Sequence, residues 1–187
     1  MSNDFTEFLV PPAGKAPKNL SDSVRKIGNA SVAFVHSWHA GEIGEALATS
    51  EEAFEHLDFV LGELLRQRDV HRQQTTSWTT SPFKVALAVP VGEIISKLSP
   101  AHALWFRSLK HGTGGLPNGT ASSILSLETA ITKLKHRDTV AVNFSAALPY
   151  QHHIYALTTA GMGQKATLIR VDVQGLCQAS KLAASTV

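Results

Sequence analysis

Between residues 41 and 72, the positions Ile43, Leu47, Phe54, Leu57, Leu61, Leu64 and Arg68 recur at steps of three, four and seven. That spacing lays one stripe along a helix. Glu42, Glu45, Glu51, Glu52, Glu55 and Asp58 fill the first half of the stretch, and Arg66, Arg68, His71 and Arg72 fill its end. The polarity complements a helix dipole, with anions near the start and cations near the finish. A rod of about 40 Å follows from a rise of about 1.5 Å per residue. Shorter elements are expected to pack around it, with Gly44 and Gly62 as points of close contact.

Before this rod, residues 1–19 read as an arm. Phe5, Phe8, Leu9 and Val10 form an apolar hook, and Pro11, Pro12 and Pro17 favour an extended backbone after it. Ser21 or Asp22 is placed to cap a short helix that Gly28 would stop. Residues 30–38 alternate in a β-rich pattern and predict a strand. After the rod, residues 83–89 predict a second strand, 91–98 a short helix and 101–109 a helix opened by Pro100. Residues 111–119 carry four glycines and predict a turn region. Thr120 or Ser122 would cap a helix through Lys135, with Ile124, Leu127, Ile131 and Leu134 on one side. Strands over 139–146, 152–159 and 165–173, joined by turn residues, predict an antiparallel meander. Residues 175–187 are small and polar, a weak helix or a tail. The expected fold is α+β, a long amphipathic helix and shorter helices packed on a mainly antiparallel sheet. The expected organisation is an arm over 1–19, one domain over 20–174 and a tail over 175–187.

Composition narrows the function classes. Of the 187 residues, 43% are apolar, enough for a core, and only 17% are charged, which leaves a surface that is cheap to desolvate against other subunits. A net charge of +2 permits contact with an anionic polymer without demanding it. One cysteine, Cys177, excludes an internal disulfide and a multi-cysteine metal cage. The first ten residues lack the cationic and apolar regions of a secretory signal, and no apolar run reaches the ~20 residues that span a bilayer, so the expected location is cytoplasm or virion.

Motifs for chemistry are weak. The glycines at 112–119 lack the Lys-Ser/Thr pair of a phosphate loop and the third glycine of a dinucleotide fold. The nine histidines show no metal-ligand spacing, and no nucleophile elbow surrounds any serine. No cofactor is expected. Cys177 reads as a packed or surface thiol, and Asp138 and Asp172 are too far apart in sequence to call a pair.

Two basic clusters remain, at the ends of two predicted helices. Arg66, Arg68, Arg72 with Trp78 beyond them, and Lys133, Lys135 and Arg137, would form one cationic surface for RNA if the helices run the same way. Cations also favour helix C-termini for purely local reasons. The expectation is a non-enzymatic, self-associating structural protein of capsid, nucleocapsid or matrix type. Phe5, Phe8 and Leu9 would dock on a neighbouring copy, and the basic helix ends would face RNA or another anionic surface. The competing class is a small enzyme or ligand-binding domain, with a site near the 111–119 loop and a histidine such as His111 as acid or base.

Overall fold

The computed structural model describes residues 19–74, 77–158 and 166–186. The arm, with Phe5, Phe8 and Leu9, lies outside the described residues. The long helix is present as α2 (Ile43–Gln74), 32 residues or about 48 Å. A Cβ built at Gly44 or Gly62 would meet nothing, so neither glycine serves a close contact.

A second long helix, α1 (Leu20–Ala40), precedes it. Residues 30–38 belong to this helix and not to a strand, and Gly28 does not interrupt it. Val24, Ile27, Ala30 and Val35 are buried at helical spacing, and tertiary packing overrides the local β preference. Asn19, not Ser21 or Asp22, is the N-cap, accepting from the Ser21 amide at 2.8 Å. The stop falls at Gly41, in the left-handed region with φ 77°, where the chain turns directly into α2. The two helices form an antiparallel hairpin, with Ser23 of α1 beside His56 of α2.

Two further assignments change places. Residues 83–89, expected as a strand, form the short helix α3 (Pro82–Leu87). Ser81 accepts from the Lys84 amide, proline sits in the first turn, and Phe83, Ala86 and Leu87 bury at helical spacing. Residues 91–98, expected as a helix, contain strand β1 (Pro90–Ile95). A bulge between Pro90 and Gly92 gives this strand an extra residue. It turns Val91 to the same core as Ile94, which imitates a helical step of three.

Helix α4 (Pro100–Ser108) forms as expected, capped by Ser99. The single helix expected from 120 to 135 is strand β2 (Ser123–Ser126) followed by helix α5 (Leu127–Lys135). Ser126 is the true cap, accepting from the Thr129 amide, and Leu125, not Ile124, is buried. The meander is β3 (Val142–Ala147), β4 (Gln151–Thr158) and β5 (Thr167–Asp172). The last helix, α6 (Val173–Ala184), is no loose tail: Leu176, Cys177, Ala179 and Ala183 are buried.

The sheet order is β2-β1-β5-β4-β3, with every neighbouring pair antiparallel. The larger core lies between one face of this sheet and helices α1, α2, α3, α5 and α6. A smaller one, with Phe106, Tyr155, Leu157 and Leu168, seats α4 and Leu116 on the other face. The fold is therefore α+β, with a long helix on an antiparallel sheet. Among the described residues no helix is long and apolar enough to cross a membrane.

Candidate functional site

Alternation along β4 sends adjacent histidines to opposite faces. His152 faces the helices and joins Phe34 of α1 and Phe144 of β3, with the Phe34 and His152 rings stacked at 5.0 Å and Phe144 edge-on to Phe34 at 4.9 Å. Trp38, one turn further along α1, adds a second edge contact to Phe144. The Ser31 hydroxyl lies 2.8 Å from His152 Nδ1, and burial holds this imidazole down at about 4, so it is neutral at physiological pH.

Beside this aromatic cluster is a cavity of about 190 Å³ between α1, α2, the end of α5 and strand β3. Its walls include Ile27, Phe34, Phe54, Leu134 and Phe144. Its one cation is Arg137, just past α5, half-buried with its guanidinium 4.9 Å from the centre of the Phe54 ring. Arg137 Nη1 donates to the Leu134 carbonyl at 2.6 Å. Burial pulls its pKa below the ordinary arginine value, against the charge of Asp58. Among the described residues Arg137 has no ion-pair partner, and the Leu134 carbonyl takes only one of the five N–H donors of its guanidinium.

The stripe on α2 divides at this point. Leu61 and Leu64 are fully buried, whereas Ile43, Leu47 and Phe54 are 57%, 59% and 52% exposed. The cause is the length of α5. It runs antiparallel to α2, with Arg68 Nη1 donating to Thr132 Oγ1 at 3.5 Å and Lys135 reaching Asp58 at 3.3 Å. It ends at Lys135, so nothing from α5 continues over the first turns of α2.

The same direction separates the basic clusters. Lys135 lies at Asp58, and the stretch of α2 from there to Arg72 is about 20 Å long. Three of the six cations are also ion-paired, Lys135 with Asp58 among them. Arg66 pairs with Glu63 at 2.6 Å, Arg68 with Asp69 at 2.9 Å, and Trp78 has Lys84 5.6 Å from its ring centre. Among the described residues Arg72 and Lys133 make no ion pair. The clusters meet only in part: Arg68 reaches Thr132, the residue before Lys133, whereas Lys135 and Arg137 lie toward Asp58 and Phe54, away from Arg72.

The 111–119 loop closes the open edge of β3. Gly112 donates to Asn143 Oδ1 at 3.0 Å and Gly114 to the Phe144 carbonyl at 2.8 Å. Neither the aromatic-walled cavity nor a second one, between α1 and α6, is lined by this loop or His111. On the outer sheet face Ser145 lies 3.4 Å from His153 Nδ1 and 3.3 Å from the Tyr155 hydroxyl. Asp172 stands opposite His153 in register, but its two oxygens accept from the Gln174 and Gly175 amides to cap α6, so no Ser-His-Asp relay is assembled. Asp138 pairs with Arg107 at 2.9 Å. Cys177 is buried, and burial pushes its thiol up to about 11. Among the described residues no group of three His, Cys, Asp or Glu side chains is placed to hold a metal.

Sequence reasoning missed the cluster of Phe34, Phe144 and His152. The β4 alternation carries part of the signal, but the β-rich pattern of residues 30–38 points Phe34 to a strand. No protein-family model, curated protein or solved structure matches the chain.

Proposed function

We propose that this protein is a non-enzymatic structural subunit that associates with copies of itself in a shell or layer, of capsid, nucleocapsid or matrix type. The observation that carries the reading is the uncovered half of the α2 stripe. Ile43, Leu47 and Phe54 continue the row that Leu57, Leu61 and Leu64 bury, and they face solvent in the single chain. Exposed apolar side chains that continue a stripe packed in the other half of the helix are what an interface requires. The low charge content supports the same reading, since few ions need be desolvated on contact. Contact with RNA is the weaker part of the proposal, because half of the cations offered for it are ion-paired and Arg72 lies about 20 Å along α2 from the Lys135 contact.

The test is mass by light scattering after size exclusion, with absorbance at 260 and 280 nm on the same peak. The native chain is expected to elute as a concentration-dependent oligomer. A double variant, Ile43→Asp with Leu47→Asp, is expected to elute as a folded monomer, because both side chains are exposed in the single chain. A native chain that stays monomeric at high concentration overturns the proposal. Nucleic acid on the oligomer peak, lost at high salt, would support the RNA contact.

A further inference from the structure

We infer that the cavity beside Arg137 is the receptor for the N-terminal segment of a neighbouring copy, with Phe5 or Phe8 inside and Asp4 or Glu7 on the guanidinium. The inference rests on the self-association proposed above and names its contact.

Three observations carry it. The first is size and chemistry. The cavity holds about 190 Å³ between aromatic and aliphatic walls. An apolar cavity of about 150 Å³ is enough for a benzene ring, so a single phenylalanine side chain is the right guest. The second is charge. Arg137 is half out of water, stacked on Phe54, with no ion-pair partner among the described residues. Asp4 and Glu7 alternate with Phe5 and Phe8, and no Lys or Arg occurs before Lys15. An acid beside a phenylalanine supplies the ring for the cavity and the carboxylate for its rim in one short segment.

The third is reach. The α1 residues that line the cavity, Ile27 and Phe34, stand about 10 and 21 Å along the helix from Leu20. A proline-rich spacer advances about 3.1 Å per residue, so Phe8 stands about 34 Å from Asn19 when the spacer is extended. That limit lies beyond the chain's own cavity, so the segment is long enough to leave its own subunit, and the self-association proposed above assigns it to the neighbour.

A photo-reactive benzoylphenylalanine placed at Phe8 of the full chain tests this, with light and heavy isotope-labelled copies mixed before illumination. Cross-links are expected between light and heavy chains, on the α1, α2 and β3 residues that line the cavity. Arg137→Glu should lower the cross-link yield about tenfold, the order of one partly desolvated ion pair. Adding Asp4→Lys and Glu7→Lys to that variant should restore it. If Arg137→Glu fails to fold by circular dichroism, the two arm substitutions alone should give the same loss. Cross-links confined to one chain, or mapped elsewhere on an intact oligomer, overturn the inference and leave self-association standing. A small amphiphilic acid found in the cavity by native mass spectrometry overturns it too. A strictly monomeric native chain sinks both.

Discussion

The two halves of α2 carry one apolar row and meet opposite fates. In the C-terminal half Leu57, Leu61 and Leu64 vanish into the core between sheet and helices. In the N-terminal half Ile43, Leu47 and Phe54 stand in solvent, although their spacing continues the same stripe. The difference comes from the partner element: α5 covers α2 from Arg68 to Asp58 and then ends. Periodicity marks which face of a helix seeks cover, and the neighbouring elements decide how far the cover extends. The exposed half is nonetheless held in place, because α1 packs along it and anchors to β3 through Phe34, Trp38 and Phe144.

The comparison breaks most sharply in the buried half. Leu61→Ala removes a fully buried side chain from the larger core and leaves a cavity. The expected loss is about 2–5 kcal/mol of unfolding free energy. Urea denaturation measures it directly. A loss below about 0.5 kcal/mol, the level of a neutral surface change, would mean that the two halves are not differently packed at all.

The anchor that holds the exposed half has its own signature, in pH. His152 titrates at about 4 in the folded chain against an ordinary value of 6.5, chiefly because it is buried under α1, with His153 adding to the shift and Asp172 opposing it. Folding therefore favours the neutral ring. Its contribution is complete above pH 6.5 and is lost progressively as pH falls toward about 4. At about 1.4 kcal/mol per pH unit the effect is on the order of 3 kcal/mol. His153 is shifted the same way by burial and adds to the slope. His152→Phe, which keeps a ring against Phe34, isolates the difference: its urea midpoint should fall much less between pH 6.5 and 4 than that of the native chain. Equal slopes in the two proteins would show that the α1 anchor does not depend on a neutral histidine.

How much of this was legible follows from the same contrast. The long helix, the antiparallel meander and α4 announced themselves through long periodic runs, turn residues and a first-turn proline. Short segments misled, because their local pattern fits two structures. Residues 91–98 carry Val91 and Ile94 at a helical step of three, and only the bulge reveals that a strand can bury both in one core, while Ile95 turns to the other face. Phe83 and Val85 suit a strand, yet the Ser81 cap and Pro82 decide for a helix. Arg137 was visible as one member of a basic run. Its separation from Arg66, Arg68 and Arg72 was not, since it depends on α5 lying antiparallel to α2, a tertiary fact. The cavity was invisible for the same reason, being shared among elements distant in sequence.

The smallest expected effect probes the exposed half itself. Leu47→Ser removes apolar surface that already faces water in the single chain, so at low concentration its unfolding free energy should lie within about 0.5 kcal/mol of the native value. The distinction lies in concentration. Association stabilises a folded state by mass action, so the urea midpoint of the native chain should rise as its concentration is raised. Leu47→Ser should flatten that rise while leaving the dilute midpoint in place. A native midpoint independent of concentration would mean that the uncovered row on α2 meets no second copy. A Leu47→Ser chain destabilised as heavily as Leu61→Ala would mean that the row is covered within its own chain. Either result would erase the contrast between the two halves on which the self-associating reading stands.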